Sequence, residues 1–123
     1  RLIELKPDHA HAYNALGYTL ADRTTRYEEA RVLIEKALAL KPDDPFILDS
    51  MGWVHYRLGN RDQARDYLQQ AIDLRLDPEI AAHLGEVLWM MDRHEEARSV
   101  WERGESIDTK NKTLRETLRK FVK

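Results

Sequence analysis

Residues 48–59 read LDSMGWVHYRLG and have the apolar spacing of a helix, yet a glycine stands at the centre of the stretch. Leu48 and Met51 are three residues apart, a step that places both side chains on one helix face. Gly52 in the helix interior costs about 1 kcal/mol relative to alanine. The same placement recurs in NALGYTL and AHLGEVL, which gives three such glycines: Gly17, Gly52 and Gly85. A penalty that recurs three times needs a structural reason.

The three glycines belong to an internal repeat of about 34 residues, a period typical of helical arrays. Small residues keep the same step at two further places: Ala30, Ala64 and Ala97, then Ala37, Ala71 and Gly104. Four residues after each of the first alanines stands a large apolar residue: Ile34, Leu68 or Trp101. We infer helical hairpins in which glycine and alanine permit close backbone approach while the large residues fill the adjacent gaps.

This pattern resembles the tetratricopeptide repeat, a helix–turn–helix unit of about 34 residues. The resemblance covers residues 9–109. The first unit fills the family positions with Tyr13, Leu16-Gly17, Ala30, Ile34 and Pro42. The third unit departs from the pattern, with Gly104 and Thr109 where alanine and proline are usual. The resemblance implies an all-α fold: a right-handed superhelical solenoid of three repeats followed by a C-terminal capping helix.

The expected organisation is a single domain that forms part of a longer protein. We expect repeats over residues 9–42, 43–77 and 78–109, preceded by the end of another repeat over 1–6 and followed by the capping helix over 110–123. Within the repeats, helices are predicted near 9–22, 26–40, 45–58, 61–75, 78–91 and 93–106. The cut edge at the start would expose three apolar side chains that predict self-association: Leu2, Ile3 and Leu5.

Several helix ends carry their own sequence signals. Two capping boxes are predicted, Thr25-x-x-Glu28 and Asn60-x-x-Gln63. Two aspartate–proline pairs, at 44–45 and 77–78, predict an N-cap followed by proline in the first turn. Gly59 is typical of a left-handed helix end.

Composition and spacing argue against several classes of function. A net charge of −2 opposes whole-surface attraction to nucleic acid, and the absence of cysteine removes thiolate metal sites. No apolar run approaches the 18 to 20 or so residues of a membrane span. HEEAR at 94–98 lacks the second histidine of the HExxH zinc motif, because Arg98 stands in that place. We therefore expect no metal site, no cofactor and no catalytic residues.

Aromatic residues exceed those that the repeat core needs. Tyr18 and Trp53 each follow a glycine directly, on the first-helix face away from the hairpin partner. The resemblance implies that this face is the concave wall of the solenoid. The predicted partner-binding residues are Asn14, Tyr18, Asp49, Trp53, Tyr56, Glu86, Trp89 and Met90. Alternatively, Trp53 or Trp89 fills a gap between adjacent first helices.

These residues predict a noncatalytic scaffold that binds a peptide or helix of a partner protein in its groove. Some tetratricopeptide domains clamp a chaperone carboxylate with basic and amide groups, and the corresponding residues here are Asn14, Tyr18, Ser50, Glu79 and His83. The two basic residues of that clamp are absent, so a neutral or basic peptide suits the walls better. The alternative is a purely architectural segment of a longer solenoid whose binding face lies upstream.

A closer resemblance concerns residues 13–60, continued by DPEIAAHLGEVLWMM at 77–91. Both stretches are similar to the C-terminal repeats of proteobacterial tetratricopeptide lipoproteins of the outer membrane. That resemblance implies a periplasmic location and, for some members, an adaptor role that brings a carboxyl-terminal processing protease to its substrates. A cytoplasmic location stays open as the alternative.

Overall fold

The computed structural model describes residues 9–122, and this part of the chain contains seven α-helices and no β-strand. The helices are α1 (Ala10–Arg23), α2 (Tyr27–Leu40), α3 (Pro45–Arg57), α4 (Arg61–Leu74), α5 (Pro78–Met90), α6 (His94–Ile107) and α7 (Lys112–Phe121). The first six begin and end within one residue of their predicted bounds. The all-α prediction is confirmed. The preceding repeat end expected over 1–6 and the self-association of Leu2, Ile3 and Leu5 lie outside the described residues.

The six repeat helices pair as hairpins, α1 with α2, α3 with α4 and α5 with α6. Each first helix also packs on the first helix that follows it, so that α1, α3, α5 and α7 form one layer. Helix α7 buries Leu114 against this stack and closes its C-terminal end. This arrangement is the predicted solenoid with its capping helix. Among the seven described helices, none is long and apolar enough to span a bilayer.

The recurring glycines lie where the two helices of each hairpin cross. A Cβ atom on Gly17 would lie 2.6 Å from the Ile34 side chain, and one on Gly52 would lie 2.6 Å from the Leu68 side chain. At Gly85 the added atom would lie only 2.0 Å from Nε1 of Trp101. The close approach therefore requires glycine, as predicted, and the cost to the helix is offset by packing.

The predicted helix ends are confirmed at the aspartates and at Gly59. Asp44 Oδ1 accepts hydrogen bonds from the backbone N–H groups of Phe46 at 2.9 Å and Ile47 at 3.1 Å, and Asp77 caps α5 in the same way. Gly59 follows the end of α3 and has a φ of +91°, a conformation that residues with a side chain rarely adopt. These caps fix where α3 and α5 begin, and with them the register of the layer.

The two predicted capping boxes are wrong. Helix α2 has Arg26 in the N-cap position with no side-chain cap, so Thr25 lies one residue ahead of the place that the capping box requires. Asn60 occupies the N-cap position of α4, but its side-chain amide lies 3.2 Å from Nδ1 of His55. At Asn60 the preceding helix takes the polar side chain that the motif assigned to the following helix.

Candidate partner-binding site

A buried polar cluster crosses the first helices of all three repeats. Nδ1 of His83 on α5 lies 2.8 Å from Oδ1 of Asp49 on α3, and Nε2 of His83 lies 3.4 Å from the hydroxyl of Tyr18 on α1. Because a carboxylate only accepts, Nδ1 of His83 carries the proton and donates it to Asp49. His83 and Asp49 are both buried, so the pair joins the repeats away from bulk water.

Charge and burial compete at this cluster. Burial lowers the pKa of His83, but the carboxylate of Asp49, with smaller contributions from Glu79 and Glu86, outweighs burial and raises it. The pKa of Tyr18 is raised by burial first, and then by the nearby carboxylates of Asp22, Asp49 and Glu79. The cluster therefore favours a proton on the imidazole and a neutral phenol.

Trp53 does not lie exposed on the concave wall, where the sequence predicts a partner-binding ring. Its ring stacks on His83 with centroids 4.2 Å apart and also contacts Tyr56, at a centroid distance of 5.0 Å. Only 6% of the residue is exposed, so the prediction of a solvated ring is wrong. The alternative, that Trp53 fills a gap between adjacent first helices, describes its position.

Tyr56 and Glu86 extend the polar cluster toward the capping helix. The Tyr56 hydroxyl donates to Oε2 of Glu86 at 3.0 Å, and Nζ of Lys120 on α7 lies 3.9 Å from the same oxygen. Burial and the Glu86 carboxylate together raise the pKa of Tyr56. Glu86 is buried, and these two partners compensate its charge.

Trp89 lies apart from the other predicted residues. Its ring stacks on His94 with centroids 3.9 Å apart, and it contacts Trp101 at 5.7 Å and Phe121 at 6.0 Å. Trp89 therefore packs at the junction of α5, α6 and α7, away from the inter-helix position of Trp53. Met90, at the end of α5, is 40% exposed.

Three predicted residues, Asn14, Tyr18 and Asp49, do come together at the surface. They line a cavity of about 180 Å³ between α1, α3 and the start of α5, which we call the inter-repeat cavity. Its lining is Asn14, Ala15, Tyr18, Phe46, Asp49, Ser50 and Glu79. Within residues 9–122, no three His, Asp or Glu side chains are grouped so as to hold a metal ion. The cavity offers hydrogen-bonding groups and charge.

The list of predicted binding residues missed His83, Ser50, Glu79 and Phe46. The sequence contained a signal for His83, because it lies 34 residues after Asp49, which is the length of one repeat. Residues one repeat apart lie on neighbouring first helices, so an acid and a base at that step can pair. Phe46 carries no comparable signal, since it precedes the periodic part of α3.

Comparison with known proteins identifies tetratricopeptide repeats in this chain. Models of the tetratricopeptide repeat family match residues 8–77 and 50–108. The TPR repeat-containing protein PA4667 of Pseudomonas aeruginosa is 64% identical over 85 residues, which are 69% of this chain and 14% of that protein. Bacteriophage adsorption protein A of Escherichia coli is 31% identical over 71 residues, 58% of this chain and 7% of its own length. The chain thus spans a small part of these relatives.

Solved structures of similar fold cover nearly the whole chain. The first TPR of Spaghetti (RPAP3), bound to the HSP90 peptide SRMEEVD, superposes with a TM-score of 0.80 at 20% identity, covering 94% of both chains. The Thermus thermophilus protein TTC0263 has a TM-score of 0.69 at 29% identity, covering 93% of this chain and 60% of that one. At 20% identity the first of these likenesses concerns the fold alone.

Proposed function

This chain belongs to the tetratricopeptide repeat family, and from that premise we propose that it is a noncatalytic scaffold holding a peptide segment of a partner protein at the inter-repeat cavity. One observation carries the proposal. The first helices of three consecutive repeats contribute Asn14, Asp49 and Glu79 to one surface cavity. A site shared among repeats suits an extended chain, which contacts each repeat in turn.

The charge of the cavity constrains the partner. The RPAP3 domain was solved with the peptide SRMEEVD, which carries two glutamates and an aspartate. The inter-repeat cavity has two carboxylates, on Asp49 and Glu79, and among residues 9–122 its lining includes no lysine, arginine or histidine. A peptide with that many acidic groups would be repelled here, so we propose a neutral or basic segment.

The experiment uses a blocking variant and a matched control. Ala15 is exposed and lines the cavity, so Ala15→Phe fills the cavity without disturbing the core. Ala39 is an equally exposed alanine on α2, and Ala39→Phe adds the same ring elsewhere. Peptides are selected from a random heptapeptide library on the unmodified protein, and their Kd values are measured by fluorescence polarisation.

The expected result is that Ala15→Phe weakens the selected peptides at least tenfold while Ala39→Phe leaves them unchanged. Equal binding by the unmodified protein and Ala15→Phe would exclude the cavity as the recognition surface. This design is sharper than truncating Trp53, because that ring is buried and its loss would disturb the fold.

The finer role that we propose is that of an adaptor for a periplasmic carboxyl-terminal processing protease. Its support is the resemblance to proteobacterial outer-membrane lipoproteins and the 64% identity to a Pseudomonas aeruginosa relative. Because the chain spans 14% of that relative, the test belongs in the full-length protein. There, Ala15→Phe should slow degradation of a substrate by the protease, and Ala39→Phe should not. Unchanged degradation with both variants would contradict an adaptor role for this cavity.

A second candidate function is purely architectural, and the packing of two tryptophans favours it. Trp53 and Trp89 both fill junctions between helices, so two of the predicted binding rings stabilise the stack. In that case the selection on the unmodified protein would give no peptide that depends on the cavity, and removing this chain would impair the upstream repeats.

A further inference from the structure

The inter-repeat cavity is rich in hydrogen-bond acceptors that are not engaged. Oδ1 of Asn14 is buried and has no hydrogen-bond partner among the described residues. Glu79, on the first turn of α5, is exposed and brings a carboxylate to the same lining. A buried acceptor without a partner costs free energy until a donor reaches it. The cavity is therefore incomplete in its hydrogen bonding, and what it lacks is a donor.

The two hydroxyl groups of the lining are, by contrast, already hydrogen-bonded. The Ser50 hydroxyl donates to the Phe46 carbonyl at 3.2 Å. The Tyr18 hydroxyl lies within hydrogen-bond distance of Nε2 of His83. In neutral His83, which carries its proton on Nδ1, Nε2 accepts from Tyr18, and in protonated His83 Nε2 donates to Tyr18 instead. The charged groups of the lining, on Asp49 and Glu79, only accept, so they suit a ligand that supplies donors, such as the ammonium of lysine or the guanidinium of arginine.

The charges around the cavity have the sign that attracts a cation. The carboxylates of Asp22, Asp49 and Glu79 all raise the pKa of Tyr18, after burial itself, and Arg57 is the cation that opposes them. Protonated His83 compensates the charge of Asp49 but leaves that of Glu79. A cation already lies at the rim of the cavity, where the guanidinium of Arg75 is over the Phe46 ring, with Cζ 5.6 Å from the ring centroid.

The size of the cavity restricts its occupant to one side chain. Its volume of about 180 Å³ is below the roughly 300 Å³ at which small-molecule pockets begin. A partner helix could not enter it, whereas a single extended side chain could. Resting on the proposed function, we propose that the inter-repeat cavity takes one lysine or arginine side chain of the bound peptide, held by Asn14, Asp49 and Glu79.

The test titrates the ¹⁵N-labelled protein with four probes that share one alkyl chain: n-butylammonium, n-butylguanidinium, n-butanol and butyrate. The two cations should give saturable shifts at the side-chain amide of Asn14 and the backbone amide of Ser50. The alcohol and the anion should not. The affinities of n-butylammonium and n-butylguanidinium, compared with each other, also show whether a lysine-like or an arginine-like group binds more tightly.

Two variants assign the effect to the cavity. Glu79→Gln removes one charged acceptor, and because this exposed carboxylate is screened by water, its loss should weaken the binding of the two cations about two- to fivefold. The matched control is Glu116→Gln, an equally exposed glutamate on α7, which should leave the affinity unchanged. The inference would be overturned if Glu79→Gln and Glu116→Gln bound the two cations with equal affinity. It would also be overturned if n-butanol gave shifts as large as those of the cations.

The inference can fail while the proposed function survives. If library peptides lose binding in Ala15→Phe, but replacing their lysine and arginine with norleucine has no effect, the cavity binds peptides without reading a cation. If Ala15→Phe has no effect on those peptides, the proposed function itself fails. A norleucine replacement that weakens binding at least tenfold supports both.

Discussion

Gly85→Ala is the change that most directly probes how the hairpins nest. The added Cβ would lie 2.0 Å from Nε1 and 2.4 Å from Cε2 of Trp101, far inside any real contact. Trp101 is fully buried and its Nε1 donates to the Ala82 carbonyl at 3.3 Å, so the ring cannot move without losing that bond. The substitution therefore forces a rigid ring out of a packed site.

The magnitude follows from three contributions. Overpacking costs typically 1–3 kcal/mol, and loss of the Trp101 hydrogen bond costs about 1 kcal/mol. Replacing helical glycine with alanine returns about 1 kcal/mol. We expect Gly85→Ala to lower the free energy of unfolding by about 1–3 kcal/mol.

Urea unfolding followed by circular dichroism at 222 nm measures this difference. Ser99→Ala, an exposed change on α6, should stay within about 0.5 kcal/mol of the unmodified protein. If the clash with the ring is the cause, the double variant with Trp101→Leu should lose less than the sum of the two single changes. A Gly85→Ala protein as stable as the unmodified one would refute the close-approach reasoning.

Four further substitutions test the caps and the polar cluster. Asp77→Ala should cost about 1 kcal/mol in urea unfolding because it removes an N-cap, whereas Asn60→Ala, which caps no N–H in α4, should cost less than half of that. Tyr56→Phe leaves a buried carboxylate without its donor and should cost roughly 1–3 kcal/mol; a thermally unchanged protein would contradict the contact. The pKa of His83 is raised in the folded state, so its proton stabilises the fold below the unfolded value of 6.5, and this contribution is lost as the pH rises through the folded pKa. The stability difference between the unmodified protein and His83→Gln should therefore shrink from pH 5.5 to pH 8.5, and a difference that grows would contradict the pairing with Asp49.

The repeat architecture was predictable because its signals are local and periodic. The spacing of Gly17, Gly52 and Gly85 reflects a contact within each hairpin, so the sequence carries it three times over. The caps at Asp44 and Asp77 depend only on the next three residues, and both were predicted correctly. The box at Thr25 failed because the N-cap position of α2 is one residue later, and the box at Asn60 failed because a side chain in a short turn can serve either of two helices.

The surroundings of the aromatic rings were not predictable to the same degree. Helical spacing gives the direction of Trp53 or Trp89 on its own helix, but not which neighbouring element covers it. For Trp53 the cover is His83 on α5, and for Trp89 it is Phe121 on α7. Such contacts depend on the angle between repeats, which no single helix encodes. Asn14 and Tyr18, on α1, are only partly covered by other elements, and both line the inter-repeat cavity.

The most direct test of peptide binding at the inter-repeat cavity is a map of amide chemical-shift changes for the ¹⁵N-labelled protein bound to a library-selected peptide. If the cavity holds the peptide, the largest chemical-shift changes should lie around it, on α1, α3 and the first turn of α5. Changes concentrated on the outer helices α2, α4 and α6, with the cavity residues unmoved, would contradict it.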